Sequence, residues 1–127
     1  MADGMADIEG RWINQNGSVL ALNKPVHGRL TGTFQSRKGR AARDRVYPVS
    51  GVVNGELVSI VVSFDDGADN LHSITSFSGR CARDADGVDR LHTMWVLTRA
   101  FEDEARTKPT QVWNSFLVNS DVFAREP

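Results

Sequence analysis

The stretch Arg45–Phe64, RVYPVSGVVNGELVSIVVSF, carries the clearest indication of local structure in this chain. Its central Asn54-Gly55 pair lies between two runs rich in Val and Ile, residues that favour extended strands. Asn-Gly readily takes the two positive φ values of a type I′ turn, whose twist suits a pair of antiparallel strands. We therefore predict a β-hairpin with strands over Arg45–Val53 and Glu56–Phe64.

The rest of the chain repeats this pattern about every dozen residues, with Gly, Asn and Asp between the alternating segments. Asn16-Gly17 predicts a second type I′ turn, and Asp84–Gly87 predicts another hairpin. No segment shows the sustained apolar spacing of an amphipathic helix. We predict an all-β fold, an eight-stranded antiparallel up-and-down β-barrel, with strands at Ile8–Asn14, Ser18–Leu22, Arg29–Gln35, Arg45–Val53, Glu56–Phe64, Ser73–Arg83, Asp89–Thr98 and Trp113–Phe123.

The length of 127 residues suits one domain, which we place at residues 8–124. Residues 1–7 are interpreted as a disordered tail or a remnant of protein expression, because Met-Ala-Asp occurs both at 1 and at 5. Such a remnant would replace a signal peptide, so we expect a secreted or periplasmic protein. Cys81 is the only cysteine, which excludes an intrachain disulfide.

The charge balance argues against nucleic acid and membranes as partners. Fifteen basic and sixteen acidic residues give a net charge of −1, so the chain has no global field that would attract polyanions. Five of the basic residues lie in the stretch Ser36–Arg45, which lacks aromatic residues for base stacking. No apolar run approaches the roughly 18 residues of a membrane span.

Side chains alternate between the two faces of a strand, so sequence parity predicts which residues lie together inside the barrel. In several strands the small polar residues lie toward one end of the inward face and the apolar residues toward the other. Barrel closure would bring the polar ends together at one mouth, above a packed floor. We predict a pocket there for a small molecule with a polar head, with binding residues Asn14, Ser18, Phe34, Ser36, Phe64, Ser73, Thr75, Phe77, Trp95, Leu97, Trp113 and Asp121.

Each of these residues also has a purely structural interpretation. Asn14 precedes a turn, where Asn often bonds its own backbone, and Asp121 suits a solvated strand end. Trp95 suits a barrel core, and Trp113 suits a loop aromatic that covers the core. Ser73 and Thr75 suit polar positions on a pleated sheet.

Three other function classes remain as alternatives. A lipocalin-like carrier of a hydrophobic ligand would have to bury Asn14, Ser18, Ser36 and Asp121 without partners, at a cost of several kcal/mol. An enzyme would use Asp121 as general base, and an interaction module would bind no small molecule. The sequence places no base beside Ser36 or Ser73, and we interpret His27, His72 and His92 as surface groups without metal-ligand spacing.

Five segments in order resemble the avidin and streptavidin family, from Gly10 to Phe123. They are Gly10–Ser18 (GRWINQNGS), Leu30–Ser36 (LTGTFQS), Asn70–Gly79 (NLHSITSFSG), Thr93–Thr98 (TMWVLT) and Trp113–Phe123. The resemblance implies an avidin-like barrel that binds D-biotin with high affinity and without chemical turnover, and so a protein that is not an enzyme and needs no cofactor or metal.

The resemblance also implies individual roles. Asn14 and Ser18 would donate hydrogen bonds to the ureido oxygen, and Ser36 and Asp121 would accept from the ureido N–H groups. Thr75 would face the ring sulfur, while Ser73 and the backbone of residues 37–45 would hold the valerate carboxylate. The apolar box would comprise Phe64, Phe77, Trp95 and, from a neighbouring subunit, Trp113. That intersubunit contact implies a homo-oligomer, a tetramer or alternatively a dimer.

Four positions depart from the family pattern. Phe34 replaces a Tyr that donates to the ureido oxygen, and Phe64 replaces a common Trp. Asn16 replaces an apolar residue, and Cys81 lies where some members place half of a disulfide. We therefore expect an affinity that is high but below the family's most extreme.

Overall fold

The computed structural model describes residues 7–37, 45–103 and 105–126. These contain eight β-strands and one short 3₁₀ helix, Val112–Ser115. The strands are β1 Gly10–Asn14, β2 Val19–Leu22, β3 Arg29–Gln35, β4 Tyr47–Asn54, β5 Leu57–Asp65, β6 Asn70–Arg83, β7 Asp89–Arg99 and β8 Phe116–Arg125. The part of the chain described here contains no helix that is long and apolar enough to cross a membrane.

Each strand pairs antiparallel with the next one in sequence, and β1 pairs with β8 to close the barrel. The closing ladder is short, running from Trp12 opposite Arg125 to Asn14 opposite Phe123. Burial alternates residue by residue, most regularly in β5, as an inward face and an outward face require. The predicted eight-stranded up-and-down barrel is confirmed.

The turn types differ from the prediction. Asn54 pairs with Leu57, so the central turn residues are Gly55 and Glu56, and only Gly55 has a positive φ, 59°. A glycine with positive φ at the first central position fits a type II′ turn, so the predicted type I′ turn is wrong. The turn lies one residue further along the chain than predicted, but the two strands still form a hairpin.

The first hairpin is also longer than predicted. Asn14 N donates to the Ser18 carbonyl at 3.1 Å, and Gly17 N donates to the Asn14 carbonyl at 3.0 Å. Gly17 has φ 82° but Asn16 does not have a positive φ, so residues 15–17 form a three-residue loop instead of a type I′ turn. The predicted β6–β7 hairpin is confirmed, and Gly87 N donates to the Asp84 carbonyl in the same way.

Several strand ends also move relative to the prediction. β1 begins at Gly10 instead of Ile8, and β4 begins at Tyr47 instead of Arg45. β6 begins three residues early, at Asn70, because Asp65 pairs with Asn70 beyond a register shift in β5. β8 begins at Phe116 instead of Trp113, because residues 112–115 form the 3₁₀ helix. The predicted tail of residues 1–7 lies outside the described residues except for Asp7.

The barrel floor is packed with fully buried side chains, including Trp12, Leu20, Ile60, Leu91 and Phe123. Trp12 Nε1 donates to the Ile8 carbonyl at 3.0 Å, and the Arg125 guanidinium lies 4.3 Å from the Trp12 ring centroid. These contacts close the end of the barrel at which the chain enters and leaves. The opposite end, where the β1–β2, β5–β6 and β7–β8 connections lie, remains open.

Candidate ligand-binding site

A cavity of about 470 Å³ occupies the open end of the barrel. Eleven of the twelve predicted binding residues line it: Asn14, Ser18, Phe34, Ser36, Phe64, Ser73, Thr75, Phe77, Trp95, Leu97 and Asp121. These residues come from seven strands or strand ends. In the sequence they share only their position on the predicted inward face of each strand, and the structure brings them together. Their roles toward a ligand remain predictions.

Trp113 is the exception. It belongs to the 3₁₀ helix, is 69% exposed, and does not line this cavity. The alternative that Trp113 covers the core of its own barrel is therefore wrong. An indole left so exposed is consistent with a contact to another molecule.

The side-chain oxygen and nitrogen of Asn14 make different contacts. Its Oδ1 accepts hydrogen bonds from the backbone N–H groups of Asn16, at 3.0 Å, and Ser18, at 2.9 Å. Its Nδ2 donates to Asp121 Oδ2 at 3.1 Å. These bonds hold the amide oxygen at the β1–β2 turn, so the NH₂ group faces Asp121 and its second N–H can donate to a ligand. The turn-capping interpretation is therefore confirmed, and it leaves the NH₂ group for the predicted binding role.

Asp121 is only 9% exposed, so the interpretation as a solvated strand-end acid is wrong. Its Oδ1 accepts from Gln15 Nε2 at 2.8 Å, while Oδ2 accepts from Asn14. The backbone carbonyl of Asp121 accepts from Thr93 Oγ1 at 2.9 Å, which ties β8 to β7 at this point. Each carboxylate oxygen keeps the capacity to accept a further hydrogen bond.

Gln15 is the hydrogen-bonding residue of the site that sequence reasoning missed. Its side chain bonds Asp121 and also accepts from the Val122 N–H at 3.2 Å. It lies in the β1–β2 loop, where parity gives no prediction, so no signal in the sequence pointed to it. The cavity is further lined by Asn16, Leu71, Leu117, Asn119 and Ser120. Of these, Leu117 and Asn119 share the parity of Asp121 and could have been found by extending that strand face.

Ser18 is 3% exposed and accepts a hydrogen bond from the Arg37 backbone N–H through its Oγ at 2.8 Å. Its own O–H hydrogen is therefore the part of the group left to act as donor. Ser36 and Thr75 are also buried in the cavity wall. The site thus presents hydroxyl and amide donors next to a carboxylate acceptor.

Aromatic rings form the deeper wall. The Phe34 ring centroid lies 6.3 Å from that of Phe64 and 5.9 Å from that of Phe77. Such tilted contacts are favourable pair geometries for phenyl rings. Trp95 is half-buried and lines the cavity, so it does not belong to the closed core alone. Among the described side chains, its Nε1 is the one buried polar atom without a hydrogen-bond partner.

The rim of the mouth is held by charged contacts. Arg45 Nη1 donates to Asp66 Oδ2 at 2.5 Å, which links the end of the β3–β4 connection to the β5–β6 turn. The backbone N–H of Asp69 and the Arg45 guanidinium hold the pKa of Asp66 below its usual range. Most of the predicted carboxylate-binding loop, residues 38–44, lies outside the described residues.

The histidines do not form a metal site. Across residues 7–37, 45–103 and 105–126, no three His, Cys, Asp or Glu side chains come together as a metal ion would require. His27 and His92 are exposed, as predicted, but His72 is half-buried and packs edge-on against Phe101, with ring centroids 5.3 Å apart. The prediction of a surface position is therefore wrong for His72, because Phe101 folds back over it.

A closed antiparallel barrel whose mouth holds a cavity lined by buried polar side chains defines a small-ligand-binding protein. The model of the avidin family matches residues 2–126, and the chain belongs to that family. The alternative of a lipocalin-like barrel is not favoured.

Curated relatives are moderately similar. The chain is 27% identical to afifavidin from Afifella pfennigii over 79 residues, a match that covers 61% of this chain and half of that protein's length. It is 24% identical to avidin-related protein 4/5 from Gallus gallus over 120 residues, covering 93% of this chain and 77% of that protein.

Solved structures match over nearly the full length. Apo shwanavidin has a TM-score of 0.77 at 28% identity, covering 94% of this chain and 100% of that chain. A biotin complex of a shwanavidin variant has a TM-score of 0.76 at 28% identity, covering 95% and 99%. The rhizavidin–biotin complex has a TM-score of 0.76 at 22% identity, covering 94% and 92%, and supports the fold.

Proposed function

We propose that this protein binds D-biotin non-covalently in the mouth cavity and releases it unchanged. The observation that carries the proposal is the Asn14–Asp121–Gln15 network, with the Ser18 hydroxyl beside it. A cyclic urea offers one strong acceptor oxygen and two N–H donors. The cavity offers the complementary set, and the biotin complex of a shwanavidin variant supports the same ligand class.

The chemistry of each group fits this ligand. The second N–H of Asn14 and the O–H of Ser18 would donate to the ureido oxygen. Asp121 and Ser36 would accept from the two ureido N–H groups. A carboxylate that accepts an N–H favours negative charge on the ureido oxygen, which strengthens the donor bonds at that end.

The remaining lining residues suit the apolar parts of biotin. Thr75 would face the ring sulfur, and Phe64, Phe77, Trp95 and Leu97 would enclose the bicyclic ring and the chain. Ser73 lies nearer the rim, where a valerate carboxylate would reach. Because the walls exclude water, the effective dielectric constant around each polar contact is lower than at the surface. Each contact therefore contributes more to the binding free energy.

Binding without turnover is the version of the function that the site supports. Both Asp121 oxygens already accept hydrogen bonds from amides, which suits a fixed acceptor better than a general base that must gain and lose a proton. The enclosed carboxylate and amide also argue against a carrier of lipids, whose apolar ligand would leave them without partners.

The direct test is calorimetric titration with D-biotin, followed by mass spectrometry of the recovered ligand. Binding only to the native state should also raise the melting temperature, by an amount that corresponds to roughly 4 kcal/mol at a thousandfold excess over Kd. Absence of heat and of any melting shift at saturating biotin would reject the proposal. Recovery of altered biotin would reject binding without turnover.

We further propose that the protein is a homo-oligomer, a tetramer or a dimer, through the outer face of β6–β8. On this face Met94 is 59% and Val118 63% exposed, and Ile74 and Phe116 lie in one cross-strand row with Thr98 between them. An apolar area of this kind favours burial against a second copy. Native mass spectrometry tests it, and a monomer at micromolar concentration would contradict it.

A further inference from the structure

Arg99 lies at the rim, directly opposite the serine that borders the ligand chain. It is the last residue of β7 and pairs with Ser73 of β6 in the antiparallel register. Side chains of directly opposed residues start about 5 Å apart at Cβ. Arg99 also shares its strand face with Trp95 and Leu97, both of which line the ligand cavity.

A groove of about 470 Å³ adjoins the mouth cavity, and Ser73 lines both of them. Arg99 lines this groove together with His72, Asn70 and Asp65. Asp65 Oδ1 accepts from the Gly67 backbone N–H at 3.0 Å and, within the described ranges, makes no ion pair with Arg99. The groove continues onto the outer barrel face at Ile74, Thr98 and Phe116, and Arg99 does not line the mouth cavity itself, so its guanidinium lies just outside the mouth, next to Ser73.

The guanidinium is oriented by a backbone carbonyl and not, among the described residues, by a carboxylate. Its Nε and Nη2 both donate to the Asn114 carbonyl, at 3.3 Å and 3.1 Å. No carboxylate of the described residues pairs with it, whereas Arg45, Arg83 and Arg90 each pair with an Asp. Guanidinium has five N–H donors, so the edge formed by Nη1 and Nη2 keeps hydrogens for a bidentate acceptor.

We infer that Arg99 is a specificity residue that pairs with the carboxylate of the ligand tail, so that the site selects biotin as the free acid over derivatives with a neutral amide. The inference rests on the proposed biotin binding. Ser73 supplies one hydroxyl donor to the carboxylate, and Arg99 supplies the charge that distinguishes a carboxylate from an amide. A charge-assisted bidentate contact is about twice as strong as a neutral one and is lost when the ligand is uncharged.

The test compares the dissociation constants of biotin and biotinamide in competition calorimetry. The wild-type protein should prefer biotin by about tenfold, and Arg99→Gln should remove most of that preference. The matched control is Arg29→Gln, which makes the same change in net charge at the closed end of the barrel and should leave the ratio unchanged. Loss of the hydrogen bonds between Arg99 and the Asn114 carbonyl would weaken the binding of biotin and biotinamide equally. The ratio of the two dissociation constants therefore reports the charge contact and not a structural change at the rim.

Two further measurements make the outcome decisive if Arg99→Gln folds poorly. Arg99→Lys should keep part of the preference, and added salt should reduce the preference in the wild-type protein because a half-exposed ion pair is screened. An equal ratio in the wild-type protein and Arg99→Gln, or a salt-independent ratio, would overturn the inference while leaving biotin binding intact. Failure of both ligands to bind would overturn the proposed function and this inference together.

Discussion

Asn14 Nδ2 donates a hydrogen bond to Asp121 Oδ2 at 3.1 Å and so joins the first and last strands of the barrel at its mouth. Toward the mouth, the backbone ladder between these strands ends at the pair of Asn14 and Phe123, two residues from Asp121 along β8. Gln15 continues the seam with side-chain bonds to Asp121 and to the Val122 N–H. The side chains that join β1 to β8 at the mouth are therefore also polar side chains of the cavity.

Asp121→Ala should weaken biotin binding by about 3 kcal/mol or more. It removes a charged acceptor and leaves the amides of Asn14 and Gln15 without their partner. Calorimetry gives the affinity, and Asp65→Ala is the matched control, since Asp65 lies on the rim and bonds its own turn. Equal losses in the two variants would show that Asp121 does not contact the ligand.

Gln15→Ala should weaken binding by about 1 kcal/mol, less than Asp121→Ala, because Gln15 acts indirectly, through one hydrogen bond that orients the carboxylate. The double variant should lose little more than Asp121→Ala alone, since the two side chains act through one contact. Gln35→Ala, a change of the same size on β3 away from the cavity, should have no effect. Additive losses would place Gln15 in direct contact with the ligand.

Phe34→Tyr should strengthen binding by roughly 0.5–1.5 kcal/mol, the net value of one added hydrogen bond to the ureido oxygen. Phe34 is buried in the cavity wall beside Phe64 and Phe77. Phe116→Tyr, on the outer face, serves as control. Unchanged or weaker affinity would mean that water or another side chain already supplies that donor.

Trp113→Ala should weaken biotin binding and loosen the oligomer together, because an indole that is 69% exposed in one chain would cover the cavity of a neighbour. Native mass spectrometry with and without biotin reports both effects. Val26→Ala removes an exposed apolar group near the closed end and should change neither. Wild-type affinity with intact assembly in Trp113→Ala would refute the intersubunit role.

Stability should fall in acid partly through Asp66. The Asp69 backbone N–H and Arg45 lower its pKa in the folded state, so its contribution is fully present above the unfolded pKa and is lost as pH falls through the folded value. Thermal melts below about pH 4 should therefore show a weaker pH dependence for Asp66→Asn than for the wild-type protein. Asp7→Asn is the control, and identical slopes in the two Asn variants would contradict the assignment.

Strand alternation was sufficient to predict most of the site. The period of two places Phe34 and Ser36 on one face, and likewise Ser73, Thr75 and Phe77, whatever the exact strand ends. The shifts at Asn70 and Phe116 did not disturb these faces, since a strand that begins earlier or later keeps its parity. The glycines at 17, 55 and 87 likewise mark where the chain reverses.

The sequence by itself therefore determined the all-β barrel, its number of strands and which side chains point inward, because these follow from local periodicity and turn residues. Only the tertiary structure decided the turn types, the contact of Gln15 with Asp121, the exposure of Trp113 and the position of Arg99 opposite Ser73. Gln15 and Asp121 are 106 residues apart, and their contact depends on the register at which β1 and β8 close. Register is set by the sum of all cross-strand pairings, so no local stretch of sequence contains it.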